Sequence, residues 1–124
     1  MAQSTINLER PISGTNANGS YIKFPDGTLI CWKYLHFTGL PINKAWGSVF
    51  EAEQQTHLGS WPVSFTEKPV ELISIMQSTG TVSVGYEQIY QVTSTSCGYT
   101  FMWSVTSRTS AAFDLCVLGI GRWK

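Results

Sequence analysis

Charge is what this sequence has least of. Eight Lys or Arg and eight Asp or Glu make up 13% of its 124 residues, where a soluble domain ordinarily carries about a quarter. The formal net charge is zero with the histidines neutral, and the cations are scattered. Nucleic acid, which needs a basic stripe to neutralise phosphates, is therefore not an expected partner. No apolar run approaches the roughly 20 residues that cross a bilayer, so membrane insertion is not expected either. The start, MAQSTINLER, lacks the basic and apolar regions of a secretory leader, which points to synthesis in a cytoplasm.

Cysteine is equally sparse. Cys31, Cys97 and Cys116 have no CxxC spacing and make neither a disulfide framework nor a zinc site; each sits in an apolar run, where a buried thiol is the ordinary outcome. His36 and His57 show no HxH or HExxH spacing, so no metal or other cofactor is expected. There is no GxSxG, no phosphate-binding glycine loop and no internal repeat. Glu51 and Glu53 come nearest to a glycosidase pair, and in a polar loop they read as solvated. The chain is not expected to be an enzyme.

Aromatics are what the sequence has in quantity: five Trp, five Tyr and six Phe, again 13%. A chain of this length makes one domain with one core. A small monomer needs a charged surface to stay soluble; with so little charge, part of the surface is expected to be covered by identical subunits.

Residues 1 to 19 are rich in Ser, Thr, Asn and Gly without strand or helix period and read as a linker or the end of an upstream element. Strands are expected at Tyr21 to Phe24, at Thr28 to Phe37 after the Pro25-Asp26-Gly27 turn, at Val70 to Gln77, Thr81 to Val92, Tyr99 to Thr106 and Ala111 to Trp123, with at most short edge strands at Ser48 to Glu51 and Gly59 to Trp61. Asn43 to Ala52 is the one stretch with room for a short helix. Thr28 to Phe37 contains Leu29, Ile30, Cys31, Trp32, Tyr34 and Leu35. It is apolar on both faces, and both should be covered. About six strands joined by Gly- and Ser-rich turns make an all-β, antiparallel β-sandwich.

The opening NGSYIKFPDGTLICW, the middle GSWPVSFTEKPVELISI and the final GIGRWK together resemble the C-terminal (gp53-like) receptor-binding domain of bacteriophage and prophage tail fibres. The middle segment is also similar to H-type lectins, which are six-stranded sandwiches. The resemblance implies a homotrimeric, lectin-like tip over residues 14 to 124, with residues 1 to 13 as a linker or the end of an upstream fibre shaft. It implies residence in the virion, at the distal tail fibre, and attachment to a host-cell receptor, a surface or cell-wall glycan. The other reading is an end-cap that trimerises the fibre without a receptor site of its own.

Sugar recognition pairs an aromatic face, for the C–H side of a pyranose, with polar groups for its hydroxyls. Loop residues of both kinds are the candidates: Trp46, His57 and Trp61 with Gln54 and Gln55 nearby, then Tyr86, Gln88 and Tyr90 beside Glu87, and Arg108 for an anionic glycan. For each aromatic the competing role is core or interface packing.

Overall fold

The structure, a computed structural model, describes residues 10–77 and 84–124. Among them there is no helix, and every strand pairing is antiparallel. The chain runs β1 (Ile12–Asn16), β2 (Gly19–Lys23), β3 (Thr28–Ile42), β4 (Lys44–Trp46), β5 (Val49–Glu51), β6 (Thr56–His57), β7 (Val70–Gln77), β8 (Val84–Tyr86), β9 (Tyr99–Thr100), β10 (Met102–Ser104) and β11 (Arg108–Arg122). One sheet has the order β1-β2-β3-β11-β7, a second β4-β5-β10-β8, and β6 pairs with β9 alone. The result is sandwich-like, with many short strands where about six were expected.

β3 and β11 form the spine, and alternation along them sorts the side chains. Leu29 and Cys31 of β3, with Phe113, Leu115 and Val117 of β11, point inward and are buried. The second layer closes on them with Leu58, Trp61, Phe65, Cys97 and Met102. Burial raises the thiols of Cys31 and Cys97 to about 11, and all three cysteines are free.

Two of the three motif segments meet in this packing. Trp61 lies flat against Gly119, and Phe65 against Gly121: a Cβ on either glycine would fall 2.5 Å from Trp61 Cη2 and 2.8 Å from Phe65 Cδ1. The third segment is tied in through the Pro25-Asp26-Gly27 turn. There Trp123 N–H donates to Gly27 O (2.9 Å), the Trp123 indole to Phe24 O (2.8 Å) and Arg122 Nη2 to Asp26 O (2.6 Å). The turn closes itself as well, since Asp26 Oδ1 accepts from Thr28 N–H and Gly27 stands at φ +102°, a conformation suited to glycine.

Four expectations change. Ile12–Asn16, placed in the unpatterned stretch, is a strand that pairs residue for residue with Gly19–Lys23. It is mostly exposed, which is why it lacks an apolar period; a side-chain turn of Asn16 on Asn18 N–H (2.8 Å) makes the hairpin. The stretch with room for a helix is the β4–β5 hairpin, turned at Gly47 with φ +59°. Of the strand expected at Thr81 to Val92, residues 81 to 83 lie outside the described residues. Beyond Tyr86 it breaks: Gln91 adopts φ +59°, and only Tyr90 pairs again, with Tyr99. Finally, Tyr99 to Thr106 divides into β9 and β10 and ends at Ser104, with its aromatic side outward. Thr100, Met102 and Ser104 are fully buried, while Tyr99, Phe101 and Trp103 are half-exposed. The buried hydroxyls make this possible: Thr100 Oγ1 donates to Gln88 O (3.0 Å), and Ser104 Oγ accepts from Arg108 Nε (3.1 Å).

Candidate functional site

Turning the aromatic side of β9 and β10 outward builds a ladder of rings on the surface. His57 of β6 pairs with Tyr99 of β9, and Tyr99 exchanges two backbone hydrogen bonds of 2.9 Å with Tyr90. Paired residues share a face of the sheet. His57 accordingly meets Tyr99 edge-on at 4.6 Å, and Tyr90 lies 5.7 Å from Tyr99 and stacks on Phe101 at 6.1 Å and 7°. Gly98 (φ +79°) allows the close approach, because a Cβ there would collide with Tyr90 O. Tyr90 Oη donates to Gln55 Oε1.

A cleft of about 290 Å³ at one end of the ladder is lined by Glu87, Gln88, Tyr90 and Phe101; one of about 210 Å³ at the other end is lined by His57, Ser60, Ser96 and Tyr99. Aromatic walls with amide, hydroxyl and carboxyl groups at their rims suit a sugar ring. The Glu87 carboxyl is raised to about 7, first by desolvation and then by its hydrogen bond to, and repulsion from, Glu51.

The expected residues divide. His57 and Tyr90 stand on the ladder, and Gln88 lines the cleft at its Tyr90 end. Trp46 is exposed on β4, separated from β10 by β5, and Arg108 is half-buried with Nε on Ser104. Trp61 is only 4% exposed, with its indole N–H on Thr93 O (3.2 Å), and Tyr86 packs on the core with its hydroxyl on Ile73 O (3.4 Å). Trp61 is thus a packing residue, while Tyr86 is half-buried at the edge of the core. Tyr99 and Phe101 were missed because they lie in an expected strand, whose alternation does not say which side faces outward. The buried-side residues carry the missing signal: Thr100 and Ser104 stand next to backbone and side-chain partners that satisfy them.

A third cleft, of about 450 Å³, lies between the β1–β2 hairpin and the loop at His57–Gly59. Its polar groups are committed internally: Asn16 Nδ2 donates to Pro62 O (2.9 Å), and Lys33 Nζ to the carbonyls of Leu58 (3.0 Å) and Ser60 (2.6 Å).

The outer face of the five-stranded sheet gathers most of the exposed large apolar residues among those described. Pairing lines up Ile22, Ile30, Ile120 and Val70 in one row, and Trp32, Leu118 and Leu72 in the next; Tyr34, Cys116 and Ser74 follow, then His36, Asp114 and Met76. Trp32, Tyr34, Val70, Leu72, Met76 and Ile120 are 39% (Met76) to 65% (Val70) exposed, and Ile22, Ile30 and Leu118 between them are half-buried. From strand spacings the patch measures roughly 20 Å by 15 Å, the size of the largest apolar patches that monomers show. Its one carboxylate is already satisfied: Asp114 accepts from Tyr34 Oη at 2.6 Å and His36 Nδ1 at 2.5 Å. Those bonds, Tyr34 first, hold its pKa below the ordinary value and raise that of Tyr34.

On the inner side, Glu71 of β7 has both carboxyl oxygens buried without a hydrogen-bond partner, and desolvation raises it to about 7 against the pull of Lys33. Glu71 and Glu87 are raised above the 4.5 of an unfolded Glu. Their protons therefore stabilise the fold fully below pH 4.5, and that stability is lost as pH rises through about 7. Thermal melts should show Tm falling from pH 5 to pH 8, and Glu71→Gln should flatten that slope and raise Tm at pH 8. An unchanged slope in Glu71→Gln would contradict the assignment. Asp114 has the opposite sign, its contribution being lost only as pH falls below the ordinary carboxylate range.

Among the described residues, no helix is long and apolar enough to cross a membrane, and no group of three or more His, Cys, Asp or Glu is placed to hold a metal ion. No family model and no curated protein matches the chain, so neither the tail-fibre-tip nor the H-type-lectin resemblance has a family match behind it. Solved structures do match. The N-truncated R1-type pyocin tail fibre aligns over 97% of this chain and 93% of its own, at 13% identity and TM-score 0.61. A C-terminal fragment of the R1 pyocin fibre of P. aeruginosa aligns over 97% of this chain at 14% identity and TM-score 0.62; the chain spans 30% of that fragment. At such identities the likeness is one of fold: this chain folds as a pyocin tail-fibre domain does.

Proposed function

We propose that the chain is the tip domain of a phage or prophage tail fibre. In this reading it stands in the virion at the end of a fibre shaft, assembles as a homotrimer and binds a glycan of the host-cell surface. The fold shared with pyocin tail fibres supports the fibre role. The observation that carries recognition is the outward ladder His57–Tyr99–Tyr90–Phe101 with its flanking clefts. Each site is expected to bind weakly, in the millimolar to micromolar range, and attachment to come from several sites engaged at once.

The role is binding and not catalysis. The carboxyls of Glu51 and Glu87 are in hydrogen-bond contact, closer than the about 5 Å at which a retaining glycosidase flanks a sugar, and Glu53 stands exposed in the loop.

The test is binding of bead-clustered protein to a panel of bacterial cells and purified surface polysaccharides. Tyr90→Ala with Phe101→Ala should weaken each site about tenfold, near 1.4 kcal/mol, and abolish cell capture through lost avidity, with the melting curve retained. Capture equal to that of the parent protein would contradict the site. The outer apolar face favours a second reading, an end-cap that only trimerises; that reading expects no capture by the parent protein at all.

A further inference from the structure

The molecule's positive charge is concentrated at a place the ladder does not touch. At the end of the large sheet where β1, β2 and the C-terminal strand meet, a cleft of about 420 Å³ has Trp123 as its floor and Ile12 and Pro25 as apolar walls. Arg10, Lys23 and Lys124 stand around it. Lys23 Nζ lies 5.2 Å and Lys124 Nζ 4.9 Å from the centre of the same indole ring. The ring attracts both ammonium groups, but they repel each other, and among the described residues no carboxylate pairs with them or with Arg10. Asp26, whose carboxylate accepts from Thr28 N–H, also attracts Arg122 and Lys124 without an ion-pair contact to either. Trp123 cannot swing away, since its own N–H is held by Phe24 O at 2.8 Å.

A fixed indole with two ammonium groups over its ring and Arg10 beside it fits a ring that carries a negative group: the anion draws the ammonium groups to itself and the sugar ring takes their place on the indole. The cleft is also on the correct side to stay open. Lys23 pairs with Leu29, an inward residue, so the cleft opens on the inner side of the sheet and away from the apolar outer face. Three cations in one pocket, without a continuing basic stripe, match a single sugar residue and not a polyanion.

We propose that this cleft is a second saccharide subsite, selective for an anionic pyranose, one bearing a phosphate or a carboxylate. It deepens the glycan-binding reading and rests on it. The indole N–H resonance of Trp123, followed in the intact protein, reports on this cleft and not on the ladder. Titration with glucose 6-phosphate and with glucuronic acid should shift it saturably, and whichever binds tighter identifies the source of the negative group. Glucose and inorganic phosphate should each bind at least about tenfold more weakly, and Lys23→Gln or Lys124→Gln should each weaken the anionic sugars by about tenfold, the effect of one lost charged hydrogen bond. No shift with either anionic sugar overturns the subsite, as does equally tight binding of phosphate alone, which makes it an anion site without sugar selectivity. The ladder is scored separately by cell capture: loss of the Trp123 response with capture intact removes the subsite and leaves the glycan reading, while loss of both removes both.

Discussion

In the proposed homotrimer, replacing Leu72 by Glu is expected to give single chains while each chain stays folded. Leu72 lies in the row with Leu118 and Trp32 and is 58% exposed in the isolated chain. A carboxylate there meets water as long as the chain is alone, so the fold loses little. Against the apolar face of a sister subunit the same carboxylate is buried without a partner, which costs several kcal/mol, about the range in which removing one partner of a buried pair is felt. The parent protein should sediment at three times 13.8 kDa and the variant at 13.8 kDa. Val105→Glu is the control, because Val105 is as exposed (56%) but follows β10, outside the face; it should leave the mass unchanged. An assembled Leu72→Glu protein would mean that the subunits meet elsewhere.

Gly119→Ala should be strongly destabilising. Gly119 sits mid-strand in β11, paired on both sides, with Cys31 and Glu71. The Trp61 ring occupies the space a Cβ would take. That ring is hemmed in by Phe65 at 5.3 Å and by its hydrogen bond to Thr93, so it has no easy retreat. Overpacking of this kind costs about 1–3 kcal/mol, and the upper end is expected here. Gly47→Ala is the comparison: φ is +59° there, but nothing lies within 4 Å, so only backbone strain of about 1 kcal/mol is at issue. Urea unfolding should give a clearly lower midpoint for Gly119→Ala than for Gly47→Ala. Equal midpoints would show that Trp61 does not rest on this strand as described.

The sequence made the spine of this fold legible because β3, β7 and β11 are long and bear many apolar residues: β7 has the expected extent and β11 nearly so, while β3 runs past the expected Phe37 to Ile42. It also placed the Pro25-Asp26-Gly27 turn, whose residue chemistry admits few alternatives. What it hid has physical causes. β1 is a solvent-facing strand with no apolar period to reveal it. The break after Tyr86 comes from the left-handed backbone at Gln91, and Gln gives no hint of it. The ladder was half legible: His57, Gln88 and Tyr90 were named as loop residues, but Tyr99 and Phe101 were not. Alternation shows which residues share a face and is silent on which face is inside. Aromatics normally decide that question by burial; here satisfied Thr and Ser hydroxyls took the inner positions. Trp61 is the mirror case: it does lie in a loop between Gly59 and Pro62, but its ring is buried in the core.

Low charge together with abundant aromatics thus resolves into two aromatic-bearing surfaces with different expected fates. One is the sheet face with Trp32, Tyr34 and Met76, closed by sister subunits; the other is the ladder with Tyr90, Tyr99 and Phe101, open to a ligand. Hydroxyl-radical footprinting of the assembled protein separates them in one experiment. Oxidation is expected at Tyr90, Phe101 and the exposed Trp46, with Trp32, Tyr34 and Met76 protected, and protection of the latter set should vanish in Leu72→Glu. Oxidation of Trp32 and Met76 in the assembled protein, with the ladder protected in their place, would contradict the account at its centre.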